Sequence, residues 1–244
     1  MLIVSGGNEI RSGAHAGQAA MACYFAAKGY PVFRYDRRGI GDSEGTNGGF
    51  ESSADDLAAA VQAFRAEAPH IARLVAFGNC DAATALLFFH DKLAVDALVV
   101  ANPWVIEAAA SGLPNSPPAA AIRARYWSRL KNPRSLIDLL TGKINLKKLA
   151  GGIVAAARPE QASNLANQIA STMTVSPVPT KIVIARGDTT AMAFMAAWHS
   201  AVFGQVRARA NIALQQCDTA SHSFANSAAK TWLLAQVESA LSDA

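Results

Sequence analysis

The chain has 244 residues, a length that suits one larger α/β domain with ample buried core. Hydrophobic residues make up 51% and charged residues only 16%, which excludes an intrinsically disordered chain. A net charge of only +4 argues against a nucleic-acid partner, and three scattered cysteines exclude a disulfide framework.

In chain order, Met1-Leu2-Ile3-Val4 runs directly into Gly6-Gly7, too short an apolar stretch for a secretory signal. No apolar run reaches the roughly 18–20 residues that cross a bilayer. A cytoplasmic protein without stable membrane insertion is therefore expected. Strands are expected at Leu2–Ser5, Pro31–Asp36, Leu74–Gly78, Ala97–Ala101, Lys181–Ala185 and Ile212–Gln216. Helices are expected at His15–Lys28, Ala54–Ala68, Ala82–His90, Ala191–Phe203 and Ser227–Leu241, rich in alanine, the best helix former. Gly29 stops the first helix, Ser52 or Ser53 with an acid three residues on starts the second, and Pro69 ends it. Continuous apolar strands alternating with helices specify a mostly parallel sheet covered on both faces.

The alternation stops at Asn102-Pro103 and resumes at Pro177. Residues 1–103 and 177–244 are thus expected to form the core, and 104–176 a helical cap inserted at the sheet's C-terminal edge, where open α/β sheets bind ligands. Nine Lys and Arg against three acids lie in that insertion. They form either a solvated surface or a face that meets an anionic ligand or membrane.

The segment Phe77-Gly78-Asn79-Cys80-Asp81-Ala82-Ala83 ends a strand, turns sharply and opens a helix. That is the layout of a nucleophile elbow, in which small residues two before and two after the nucleophile relieve crowding. Gly78 and Ala82 fill those places and Cys80 takes the nucleophile's, where the helix N-terminus favours a thiolate. Taken alone, Cys80 is equally a buried structural cysteine. The rest of a triad follows in hydrolase order. Asp188 comes after the Lys181–Ala185 strand and His222 after the last strand, although a helix-start aspartate and an exposed loop histidine are the plainer readings of each. His15, after the first glycine loop, is the rival base. The loop Ser5-Gly6-Gly7-Asn8 is placed to supply oxyanion-binding amides or is an ordinary glycine turn. Arg11 either binds a substrate carboxylate or phosphate, or pairs with Asp81.

Together, Phe33-Arg34-Tyr35-Asp36-Arg37-Arg38-Gly39-Ile40-Gly41-Asp42-Ser43-Glu44-Gly45, Gly6-Gly7-Asn8, the Cys80 elbow, Asn102-Pro103-Trp104-Val105 and Ser221-His222-Ser223-Phe224 resemble the α/β hydrolases, and within them hydrolase 1 of the exosortase A system. The resemblance covers nearly the whole chain. It implies an α/β-hydrolase fold with a helical cap, here without the N-terminal β-hairpin of that family. It also implies a cytoplasmic ester or thioester hydrolase, associated with exopolysaccharide and exosortase genes, that needs no metal or organic cofactor. Cys80 would be nucleophile, Asp188 acid and His222 base, with the oxyanion hole formed by the amides of Asp81 and of Gly7 or Asn8. Arg11 and Trp104 are candidate substrate-binding residues, and the substrate is a small acyl compound, with an anionic one favoured by the basic insertion. An acyltransferase using the same triad, or a non-catalytic binding protein on this fold, is the alternative.

Overall fold

A computed structural model of the chain describes residues 1–107 and 163–242. Six strands, β1 (Leu2–Val4), β2 (Phe33–Arg34), β3 (Val75–Asn79), β4 (Ala97–Ala101), β5 (Thr180–Ala185) and β6 (Ile212–Cys217), form one sheet. Their order is β2-β1-β3-β4-β5-β6 and every pairing is parallel. The helices are α1 (Gly17–Ala27), α2 (Ala54–Glu67), α3 (Asp81–Phe89), α4 (Asn164–Val175), α5 (Thr189–His199), α6 (Gly204–Arg207) and α7 (Ser227–Ser242). This is the expected α/β-hydrolase architecture.

Alternation along the strands divides the core into two layers, because successive side chains point to opposite faces. Leu2, Val4, Ala76, Leu98, Val100, Ile182 and Ile184 pack with α2 through α6 on one face. Ile3, Val75, Phe77, Val99, Ala101, Val183 and Ala185 pack with α1 and α7 on the other. Since both faces are buried, the central strands read as unbroken apolar runs, which is why they were legible.

The expected elements differ from the observed ones where local caps or partners decide. β2 pairs only over Phe33–Arg34, because it is an edge strand whose partner β1 is itself short. The helix expected at His15 starts at Gly17, since His15 and Ala16 are left-handed (φ 52 and 54). The helix expected to run through Phe203 ends at His199. There Ser200 turns extended and its hydroxyl accepts from the Val202 amide at 3.3 Å, starting a new turn. Ser53 does precede α2, but its hydroxyl donates to the Phe50 carbonyl instead of capping.

Most of the insertion expected at 104–176 lies outside the described residues. Its last helix, α4, is capped by Ser163, whose hydroxyl accepts from Ala166 N–H at 3.0 Å. Ala166, Ile169, Ala170 and Met173 turn into the same core layer as α3. Among the described residues no helix is long and apolar enough to cross a membrane.

The strand order reverses direction between β1 and β3, so the loops leaving those strands splay apart and open a crevice at their C-terminal ends. The crossing from β3 into α3 beside that crevice is tight. A Cβ on Gly78 would lie 2.9 Å from the backbone carbonyl carbon and oxygen of Ala82, and neither atom can yield. Gly78→Ala is therefore expected to destabilise the fold by about 2–4 kcal/mol, as overpacking against main chain does. A lower urea midpoint at unchanged m-value would show it.

Candidate active site

Cys80 stands between β3 and α3 with φ 63 and ψ −126, a backbone conformation that side chains rarely adopt. Its environment imposes that geometry. The Cys80 amide donates to Ala101 O at 2.9 Å, extending the β3–β4 ladder past its end. Its carbonyl accepts from Thr84 N and Trp104 N, each at 3.3 Å. Trp104 is held in turn by Thr84, whose hydroxyl donates to the Trp104 carbonyl at 2.7 Å. The elbow is thus clamped by the start of α3 on one side and the 102–104 turn on the other.

Asp188 follows β5 and caps α5, its Oδ2 accepting from Ala191 N–H at 2.9 Å. The same oxygen lies 2.9 Å from His222 Nδ1. The helix-start role and the histidine-orienting position therefore fall to one buried carboxylate. His222 sits on the loop after β6, its ring held on Asp188 and near enough to Cys80 for the sulfur to raise its basicity. The hydrogen bond with Asp188, then the influence of the nearby Cys80 sulfur, outweighs burial and lifts His222 from 6.5 to about 10. His15, the rival base, is exposed at the approach to α1.

The residues expected to bind an oxyanion meet the elbow from β1. Asp81 is the first residue of α3, so its amide has no intrahelical acceptor and faces the crevice end of the helix. The Gly7 amide, at φ 56, donates to Asp81 Oδ1, so it is already occupied. The Asn8 side chain accepts from Asn47 Nδ2 at 2.8 Å. Gly6 must be glycine here, because a Cβ would lie 2.6 Å from both Asn79 O and Asp81 Oδ1.

Arg11 does not pair with Asp81. Its guanidinium engages Asp36 and, at 2.9 Å, Asp42. Burial works against the Asp36 charge, but the amides of Arg11 and Asp42 and the Arg11 guanidinium outweigh it and hold that carboxyl below its usual range. The residue beside Asp81 is Arg37, which the sequence marked only as part of a turn signature. It is 4% exposed, stands 3.7 Å from Asp81 Oδ2 and donates from Nη2 to the Gly7 carbonyl. Among the described residues its Nε and Nη1 have no hydrogen-bond partner.

Two asparagines also escaped functional reading. Asn79 and Asn102 both donate to the His222 carbonyl, at 3.3 and 3.0 Å. On the α1–α7 side of the elbow, Asn79, Ser223 and Phe224 line a cavity floored by Met21, Phe77, Leu233 and Leu234.

Comparison with known proteins places this geometry. The model of the serine aminopeptidase S33 family matches residues 1–226. The chain superposes on an esterase of Pyrococcus furiosus, Pf2001, with a TM-score of 0.63 and 16% identity, over 99% of this chain and 81% of that one. It is similar also to a lipase-esterase related protein of Clostridium acetobutylicum (TM-score 0.59, 14% identity, 98% and 92% covered). A malate-bound thermophilic esterase of Thermogutta terrifontis gives a TM-score of 0.56 at 16% identity, with 99% and 89% covered. At these identities the likeness establishes the fold. No curated protein matches the chain.

Two outcomes follow from the elbow and its histidine. Relieving the left-handed backbone with Cys80→Gly should stabilise the fold by about 1–2 kcal/mol, read as a higher urea midpoint. Because His222 is raised above its unfolded value of 6.5, its contribution to stability is complete below pH 6.5 and is lost as pH climbs through about 10. The loss of urea stability between pH 6.5 and 10 should accordingly be smaller in His222→Gln than in the wild type.

Proposed function

We propose that this chain, which belongs to the serine aminopeptidase S33 family, is a hydrolase that cleaves an ester or thioester by two-step acyl transfer through Cys80, His222 and Asp188. The observation that carries the reading is Cys80 at a strained strand-to-helix turn with the His222 ring beside it, oriented by the Asp188 carboxylate at 2.9 Å.

In the first step His222 takes the Cys80 proton and the sulfur attacks the acyl carbonyl carbon. The carbonyl π pair moves onto oxygen, and the resulting oxyanion is held by the Asp81 amide and by that of Gly7 or Asn8, each worth about 3–4 kcal/mol when well aimed. Collapse re-forms the carbonyl and breaks the bond to the leaving alcohol or thiol, which departs with the His222 proton. Water then gives a proton to His222, attacks the acyl-Cys80 carbonyl, and the thiol leaves with that proton as the acid is released. Asp188 holds the ring in one orientation and stabilises its charged form. Before the Gly7 amide can serve, Asp81 Oδ1 must leave it, and the Arg37 guanidinium beside that carboxylate is placed to receive it.

The resemblance to hydrolase 1 of the exosortase A system supports the cysteine form of the triad, a role in exopolysaccharide metabolism and a cytoplasmic site of action. The basic insertion supports acyl substrates that carry an anionic group. The solved esterases of the same fold support an ester over an amide.

Incubation with short acyl esters and thioesters, followed by peptide mass mapping, tests the proposal. The expected result is an acyl mass on the Cys80 peptide, with turnover reduced about 10³-fold or more in Cys80→Ala and His222→Ala. Undiminished turnover in Cys80→Ala, or no acyl adduct and no turnover across the panel, would overturn it.

A further inference from the structure

Asn102 follows β4 directly and has no part in the chemistry proposed above, yet its environment is unusual. It is fully buried, and its backbone is left-handed at φ 43. Asparagine tolerates that region better than most residues, so the backbone alone narrows the choice of side chain. Its side chain then makes three hydrogen bonds, all distant in sequence. Oδ1 accepts from the Ala185 amide at 2.8 Å, 83 residues away. Nδ2 donates to the His222 carbonyl at 3.0 Å, 120 residues away, and to Asn79 Oδ1 at 3.1 Å, 23 residues away.

Each partner belongs to a different loop of the site. Asn79 immediately precedes Cys80. The Ala185 carbonyl accepts from the Asp188 amide at 2.9 Å, so Ala185 is the base of the turn that presents the carboxylate. The third partner is the main chain of His222 itself, whose carbonyl Asn79 also holds, at 3.3 Å. A residue needed only to finish β4 would satisfy its own neighbours. Here one planar amide, with an acceptor at one corner and two donors at the other, meets all three loops at once.

We propose that Asn102 is a positioning residue for the hydrolytic site, its side-chain amide setting the register of the three loops that carry Cys80, Asp188 and His222. The inference rests on the triad reading above. The physical basis is the leverage of the His222 peptide. His222 lies on an irregular loop, and its ring must meet a carboxylate on one side and a thiol on the other. Fixing its carbonyl from Asn102 and Asn79 fixes the peptide plane from which the ring projects. An aspartate at 102 would keep the backbone and the acceptor for Ala185 but would set an oxygen against the His222 carbonyl and Asn79 Oδ1.

The test compares Asn102→Asp and Asn102→Gly with the wild type in the full chain. Asn102→Gly keeps the left-handed backbone and deletes the amide. The readouts are kcat and KM on a short acyl ester, thermal midpoint, and the titration of the His222 ring by NMR. Val237→Ala, in the fully buried face of α7 away from these loops, calibrates the effect of lost stability alone. The expected result is a fall in kcat of about 10²-fold for both variants with KM within about twofold, the size of effect that a small misplacement of reacting groups causes. In Asn102→Gly the His222 midpoint should drop from about 10 toward 6.5 as its hold on Asp188 and Cys80 loosens. If both variants keep kcat within twofold, or lose no more than Val237→Ala at equal thermal midpoint while His222 titrates unchanged, Asn102 is structural only and the proposal falls. Should Asn102→Gly fail to fold, the kcat and KM of Asn102→Asp decide. A wild type that turns over nothing would sink the triad reading instead, and the His222 titration would still report whether Asn102 positions the ring.

Discussion

The site depends on one strained residue. Cys80 is held with positive φ where a central strand becomes a helix, and it stays there because its main chain is tied to the end of β4, to the 102–104 turn and to the first turn of α3. A conformation that costs on the order of 1–3 kcal/mol persists only when its surroundings over-determine it. The surroundings here are the most buried part of the molecule, the β3–β4 ladder between two full layers of helices. The two-layer core and the strained turn at Cys80 are thus linked, since the core supplies the rigidity that the turn consumes.

Electrostatics around the elbow are organised in two separate carboxylate systems. Asp188 serves α5 and His222 through the same oxygen, so the acid cannot swing away without uncapping a helix. That double duty fixes the imidazole more firmly than a free carboxylate would. Asp81 lies on the opposite side, between the Gly7 amide and the Arg37 guanidinium. Arg37 is nearly fully buried, yet among the described residues its Nε and Nη1 hydrogens have no partner, an expensive arrangement in a low-dielectric interior. Such a group is well suited to accept a carboxylate that moves. One carboxylate is therefore tied to a helix start, and the other lies between the Gly7 amide and the Arg37 guanidinium.

The loop after β1 shows why similar loops vary between proteins of one fold. Gly6 is required by the close approach of Asn79 and Asp81, whereas Gly7 meets nothing among the described residues within 4 Å of its missing Cβ and is favoured by its positive φ. The adjacent Asp36 is held ionised by the amides of Arg11 and Asp42, which folds the second glycine turn back toward the first. Arg11 is thereby drawn into a surface cluster with Asp36 and Asp42.

Much of this was written in local sequence. Six apolar segments separated by helical ones specify a parallel sheet, because strands buried on both faces need no polar alternation. Gly78, Cys80 and Ala82 mark an elbow by spacing, since steric crowding at such a turn acts within five residues. The order of Cys80, Asp188 and His222 also follows from where strands end. What the sequence could not show are contacts between loops far apart in the chain. Whether Arg11 or Arg37 faces Asp81, whether the Gly7 amide is free, and which residues hold the His222 carbonyl depend on distances across 74, 120 and 143 residues. Local propensity carries no information about such separations. They are decided only when the sheet sets β1, β3, β4, β5 and β6 side by side and brings their trailing loops to a common edge, where a single buried asparagine can reach three of them.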